Sequence, residues 1–517
     1  VKHLSLLTIC AAVMVAYTAH VRADEVAPSA GLESYIKARK VLDDGIAAIG
    51  GAKALNVLRT VRRDIIDKTV DGGQAQHPRL DPPDAQDAPG NIAFSNDEVL
   101  AFLDYAGNRS YIFDKTVAFA PEIGIQIDVV TPDYGFETNI YAEEKPFYEV
   151  FPAGSLLPLR TRSLRRYPEG ALRMALARPE TLSWIGVGAE GGHAQDVISF
   201  TDATGTRVLL YFDAKTHLLS KSETLRGHPF FGDTSTEVLY VNYRRVGPLM
   251  LPTRIVDRTG GRPTHFISIK STAIDASLPE ERFQPPKDYV AVEPSLDEPT
   301  LEKVSDGLYI IRGNYNLMFA VFRDYVMAFE APLNSTYAEK CLALVRATAP
   351  GKPIRYLLST HYHYDHIAGV KPFIEAGTTI ITTPDAKAII EGLATASSSM
   401  RPDYGPRTTQ TPIIETVSDQ RIFDDGTERV EIYDVGPAPH VAQMLVAYFP
   451  KEKLVYVADL VDIPSSKQVI VGVDTAPMQN RLTAQGREVE RVVPVHGVPV
   501  TGAEYRQGFA TRAKYVH

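Results

Sequence analysis

The stretch IRYLLSTHYHYDHIAGVKPFIEAG, residues 354–377, decides how the chain is read. An apolar run at 354–358 reads as a strand and IAGVKPFIEAG as helix-like. The six residues between them, His361-Tyr362-His363-Tyr364-Asp365-His366, therefore occupy a strand-to-helix loop. Three of the chain's 13 histidines fall within those six positions. In such a loop His361 and His363 point together at one ion, while Asp365 and His366 turn toward a second point. Imidazole and carboxylate are the ligands zinc accepts at about 2.0–2.2 Å when no thiolate is offered. Only Cys10 and Cys341 exist, which excludes both a disulfide framework and a cysteine-rich zinc site, so a metal here sits on His and carboxylate.

Around this loop the pattern is α/β. Strands are expected at 308–311, 317–322, 325–330, 354–359, 379–383, 430–433, 444–449, 453–458 and 492–495, with helices at 337–349 and 384–395. The half before it differs. A helical period over 31–49 stops at Gly50-Gly51, and a Pro-rich polar insert follows at 71–90. From about residue 197, strands at 207–212, 218–224, 237–243, 250–256 and 265–269 alternate with turns, which is an antiparallel meander. Pro285-Pro286 through Glu298-Pro299 is the expected linker, so a two-domain chain divides into 24–292 and 293–517.

The hexapeptide resembles the HxHxDH signature of the metallo-β-lactamase superfamily, and the resemblance spans about 301–508. It implies a C-terminal αββα sandwich and three more ligands: His440 at the end of EIYDVGPAPH, Asp459 in KLVYVADL and His496 in RVVPVHG. The intervals are 74 (366 to 440), 19 (440 to 459) and 37 (459 to 496), in the family's order. By the resemblance His361, His363 and His440 bind one metal, Asp365, His366 and His496 bind a second, and Asp459 bridges both. The cofactor it implies is two Zn²⁺, with Mn²⁺ or Fe also suited to this donor set. One departure stands out: Phe329-Glu330-Ala331-Pro332 replaces the family's usual D-x-G. The N-terminal stretch resembles the LolA-like half-barrel, in AIGGAKAL, YFDAKTHLLSKSE, LMLPTRI and LPEERFQPP, which implies an antiparallel β half-barrel-like α+β domain.

The function implied is a metallohydrolase cleaving an ester, lactone or amide through a metal-bridging hydroxide, with Asp365 orienting it and moving the proton. His363 stands where flavodiiron proteins carry Glu, which argues against oxygen reduction. Asp459 in place of Cys or Ser aligns the chain with lactonases, glyoxalase II and phosphodiesterases more than with most β-lactamases. Four other readings use the same residues: a phosphodiesterase, a β-lactamase-like hydrolase, a mononuclear iron persulfide dioxygenase, and a periplasmic binder of apolar ligands whose metal domain is inactive. Tyr362 and Tyr364 flank ligands and serve either the pocket or the packing. The polar, turn-rich SSSMRPDYGPR at 397–407 is a candidate lid.

Composition bounds the partner. Fifty-four basic against 63 acidic residues give −9 at pH 7, leaving no basic surplus for nucleic acid and pointing to a small-molecule substrate. At the N-terminus, basic Lys2, an apolar run over 4–17 and Val21-Arg22-Ala23 follow the order of an export signal, 1–23. That run is too short for a stable membrane span, which takes about 20 residues. A periplasmic or secreted protein is expected, and mass spectrometry of the mature chain should find it beginning at or close to Asp24.

Overall fold

The helix Ala30–Ile49 forms because Ala38, Leu42, Gly45, Ile46 and Ile49 recur every three or four residues and all are buried, while the Ser29 hydroxyl caps the start by accepting from Leu32 N at 3.3 Å. Gly45 lets the helix press onto its sheet: a Cβ there would lie 2.3 Å from the Phe212 ring. In the computed structural model the described residues are 29–69, 95–116, 124–141, 147–285, 287, 298–313, 315–438, 440–461, 463, 469, 471–472 and 474–512. The leader expected at 1–23, the polar insert at 71–90 and most of the linker expected at 285–299 lie outside them, and with it the domain boundary expected at 292. Among the described residues no helix is long and apolar enough to cross a membrane.

Thirteen antiparallel strands make the N-terminal sheet from two meanders, Thr60–Thr69 through Phe147–Val150 and Ser183–Glu190 through Arg262–Ile274. They join where Thr60–Thr69 pairs with Arg262–Ile274, Val61 lying opposite Ile274. Ser183–Glu190 and Leu249–Thr259 have four strands between them, yet both touch the helix Ala30–Ile49, so the sheet curves around it. The helices Ala153–Arg165 and Pro168–Leu176 link the meanders and share the same core through Leu164, Leu172 and Ala175. A fully buried ion pair, Arg63 to Glu169 at 2.5 Å, lies within that core with the Tyr105 hydroxyl donating to Glu169 and Arg63 stacked 3.8 Å over Tyr167. The last five strands of the second meander follow the expected ones; its first two, Ser183–Glu190 and His193–Thr201, are not among them, and the first meander and these two helices carry no clear sequence period.

Two further sheets form the C-terminal half. Seven strands run in chain order from Thr300–Ser305 to Ile413–Thr416, antiparallel at first and parallel from Val326–Phe329 onward. Six run from Gln420–Asp424 to Val500–Thr501. Side chains of both sheets share one core: the Phe329 ring lies 5.3 Å from Phe449 and 5.9 Å from Tyr456. The helix Ser335–Thr348 covers the other face of the first sheet through Tyr337, Cys341 and Val345, and Gly502–Arg512 packs on the second. The expected strands and helices of this half are present. The helix-like run after the hexapeptide is two short helices, Tyr364–Ile367 and Lys371–Glu375.

The halves meet at the hairpin of Leu219–His228 and Gly232–Val246. Asp233 accepts from the Ser398 hydroxyl at 2.6 Å, from Ser399 N and hydroxyl at 3.1 and 2.5 Å, and from Met400 N at 3.1 Å. Gly232, at φ 67, lies so close that a Cβ would meet Ser397 O at 2.2 Å. On the other side Lys371 Nζ donates to Ala396 O at 2.6 Å and Ser335 Oγ to Tyr404 O at 2.8 Å, so the candidate lid is tied down along its length. The bonds from Ser398, Ser399 and Met400 hold the Asp233 carboxyl well below the usual range. A depressed carboxyl stabilises fully above its unfolded value, about 4, and the contribution is lost as pH falls through the folded value. Asp233→Ala should speed amide exchange over 398–405 at pH 7, a difference from the native chain that persists down to about pH 4 and is read by hydrogen-exchange mass spectrometry.

A candidate dinuclear metal centre

The parallel strand Ile354–Leu358 ends at Ser359, whose N–H donates to Ile381 O of the next strand at 2.9 Å, and the hexapeptide leaves the sheet at the carboxyl ends of the strands. His361, His363 and His366 are buried there. His440 follows Arg429–Asp434, Asp459 follows Leu454–Val457 and His496 follows Arg491–Pro494, so three loops of the second sheet arrive over the loop of the first. All seven residues singled out in the sequence come together. His361, His363, His440 and Asp459 form one group able to hold a metal ion, and Asp365, His366, Asp459 and His496 form another.

The contacts show how Asp459 joins them. Its Oδ2 lies 3.4 Å from His361 Nε2, 2.9 Å from His440 Nε2 and 3.0 Å from His366 Nε2, and its Oδ1 lies 2.9 Å from His496 Nε2. His366 Nε2 is also 3.4 Å from Asp365 Oδ2 and 3.2 Å from His496 Nε2. Yet His361 Nε2, His440 Nε2 and Asp459 Oδ1 have no hydrogen bond of good geometry, although all are buried. Buried polar atoms are nearly always bonded, so atoms that crowd together without pairing are aimed at shared points, as a ligand set is. The donor set fits metal ions.

Hydrogen bonds from behind fix the rings. Thr360 Oγ1 lies 3.0 Å from His361 Nδ1 and orients that ring, while Glu330 Oε2, an acceptor 3.2 Å from His366 Nδ1, assigns the proton to Nδ1 there and turns Nε2 inward. Asp474 accepts from His440 N at 2.8 Å. Asn316 Nδ2 donates to Pro494 O and Gly497 O, both at 2.8 Å, holding the His496 loop. The Tyr315 ring lies 4.6 Å from His496, and its hydroxyl reaches Asp365 Oδ2 at 3.4 Å. Burial and then His366 push the His361 imidazole down to about 4. Burial opposes charge on His366, but Asp459 and Asp365 outweigh it and hold that ring well above the usual range. Burial would likewise raise the Asp459 carboxyl, but His366, His496 and His440 keep it well below.

Residues 331–496 match the metallo-beta-lactamase superfamily. Among solved structures, the DIM-1 metallo-beta-lactamase is 16% identical over 43% of this chain and 100% of its own, with a TM-score of 0.34. The metallo-beta-lactamase from Pontibacter korlensis is 15% identical over 41% and 99%, with a TM-score of 0.32. The inverting sec-alkylsulfatase Pisa1 from Pseudomonas sp. is 16% identical over 41% and 40%, with a TM-score of 0.31. No curated protein matches the chain.

Against this metallo-beta-lactamase background Glu330 explains the departure from D-x-G. It sits at φ 70, a left-handed conformation costing about 1–2 kcal/mol for a residue with a Cβ. That turn at the end of Val326–Phe329 brings one oxygen to Thr360 N at 2.8 Å and the other to His366. The longer side chain thus braces both ends of the hexapeptide. Sequence reading marked Glu330 only as a deviation and had no signal for Thr360, Tyr315, Asn316 or Asp474. Glu330→Gln keeps the volume but presents an amide N–H₂ to His366 Nδ1, forcing the ring proton onto Nε2, the atom that faces Asp459. Metal affinity should fall about 10- to 100-fold in a chelator-competition titration, with little change in thermal unfolding of the chelated protein.

Proposed function

We propose that this chain is an exported metal-dependent hydrolase that cleaves a carboxylic ester, lactone or amide bond in a small molecule, with two Zn²⁺ as its cofactor. The observation that carries the reading is the Asp459 carboxylate common to both ligand groups, Oδ2 facing His361, His440 and His366 and Oδ1 facing His496. His361, His363 and His440 would hold one ion, Asp365, His366 and His496 the other, and Asp459 both. When bound, the pair would polarise the substrate carbonyl and acidify the attacking water.

The chain's own residues do the rest. Asp365 faces His366 and His496 on the side where Tyr315 reaches in, so its carboxylate is placed to take the proton released by the water and pass it to the leaving alkoxide or amine. Tyr315 donates toward Asp365 and keeps that carboxylate turned to the centre. Tyr364, packed 6.3 Å from both His228 and Phe230 of the N-terminal hairpin, gives the approach an aromatic wall that excludes water from one side. Export to the periplasm or beyond belongs to the same proposal and is supported by the basic, apolar, small-residue order at 1–23.

Chromogenic esters, lactones, phosphodiesters and nitrocefin, assayed with metal analysis, separate this reading from its alternatives. Asp365→Asn should reduce turnover of the best substrate by about 10²- to 10⁴-fold while thermal unfolding moves little. Undiminished hydrolysis in a fully loaded Asp365→Asn chain would put the chemistry elsewhere, and one iron with no second ion would favour the dioxygenase.

A further inference from the structure

Inside the curved N-terminal sheet lies a cavity of about 620 Å³, and one of its lining residues, Tyr364, belongs to the metal loop, standing between His363 and Asp365. The cavity therefore abuts the centre from the side of the other domain. Its wall carries Arg162 and Arg166 from the end of the helix Ala153–Arg165 and Arg226 from the strand Leu219–His228.

Four arginines and four acids line the cavity, but they are not paired one to one. Arg166 is paired with Asp257 at 2.7 Å, and Arg165 with Asp202 at 3.0 Å. Among the described residues no ion pair reaches Arg162 or Arg226. Burial disfavours the charge on Arg162, and Arg166 and then Arg226 disfavour it further, so three guanidinium groups act on one another. Two of the remaining acids of the cavity have other partners. Asp67 lies 3.1 Å from His265, and Glu223 accepts from the Tyr211 hydroxyl at 2.8 Å and lies 3.4 Å from Lys221. Asp114 is pushed up to about 7 by burial and then by Asp97 and Asp67, so near neutral pH it carries only part of a negative charge. Asp128, raised to about 6 by burial, stays largely ionised at pH 7 and draws on Arg162 from outside the cavity lining, so it offsets part of that charge without occupying the cavity. Guanidinium groups held together in a partly dry space are stabilised by an oxyanion, which their planar donors match in a forked geometry.

We infer that this cavity is an oxyanion-recognition chamber in which Arg162 and Arg226 bind a carboxylate or sulfate borne by the substrate, away from the bond that is cleaved. The chamber selects anionic molecules, and the N-terminal domain thereby sets the specificity of a centre that lies wholly in the other domain. This rests on the hydrolase reading for its link to turnover, but the binding itself does not.

The test has one arm for each. Calorimetric titration of the full-length protein with hexanoate, hexyl sulfate and 1-hexanol should show both anions, or one of them, binding about tenfold or more tightly than the alcohol; the ratio of the two anions tells carboxylate from sulfate. Binding should persist in His440→Ala, whose metal centre is damaged, and fall about tenfold or more in Arg162→Gln and Arg226→Gln, with Arg162→Lys between. Equal affinity for 1-hexanol, loss of binding in His440→Ala, or indifference to both glutamine changes would overturn the inference. For turnover, 4-nitrophenyl hydrogen glutarate is compared with 4-nitrophenyl pentanoate, which has the same chain length without the charge. The ratio of their kcat/KM values should favour the anionic ester in the native chain and drop in Arg162→Gln; a ratio indifferent to the substitution would overturn the link to specificity. Anion binding without hydrolysis of any ester would remove the hydrolase reading and leave the chamber standing.

Discussion

A carboxylate taken out of water is stable only where donors or cations compensate it, and at Asp459 that role falls to four imidazoles. The rings come from three loops, after Ile354–Leu358, Arg429–Asp434 and Arg491–Pro494, the first in one sheet and the others in the second. Their separations are therefore set by how the two sheets pack, through contacts such as Phe329 against Phe449 and Tyr456. A packed interior yields little to a shift of one methylene, so the apolar core fixes the positions of ligand atoms that it never touches. The braces behind the rings, Thr360, Glu330 and Asn316, add orientation to that placement.

The sequence carried the candidate centre because its His and Asp residues are crowded in one loop and then spaced along strands whose ends are apolar and easily seen. The C-terminal strands were legible for the same reason: Leu317–Val321, Val326–Phe329 and Leu445–Phe449 are nearly all buried and read as continuous apolar runs. The first meander was not, since Thr60–Thr69 carries Arg62, Arg63, Asp64, Asp67 and Lys68 and hides its core face among charges. Arg63 is completely buried, which no pattern rule would suggest, because its partner Glu169 lies 106 positions away. The bracing role of Glu330 was hidden for a different reason: it depends on a left-handed backbone at a residue that normally avoids one.

The junction between halves gives Tyr364 two neighbourhoods. By sequence it belongs to the metal loop, and by packing it belongs with His228 and Phe230 of the N-terminal hairpin. Changes in that hairpin can alter what reaches the centre while leaving every ligand in place. In the proposed reading the chemistry and the selection of what undergoes it are carried by separate sheets, a division that lets one vary while the other is held.

The seam between Thr60–Thr69 and Arg262–Ile274 also governs the order of assembly. Strands some 200 positions apart must find each other with Val61 against Ile274, and a loop of that size closes slowly because its entropy is lost before any pairing is gained. During synthesis the edge of Thr60–Thr69 that will take this partner stays open until residue 274 has emerged, whereas the sheets of the candidate centre begin at Thr300 and require nothing from the first meander to pair. The pairing of longest sequence separation thus lies in the half that holds none of the candidate ligands, and the exposed strand edge there is the point at which a chaperone has most to protect.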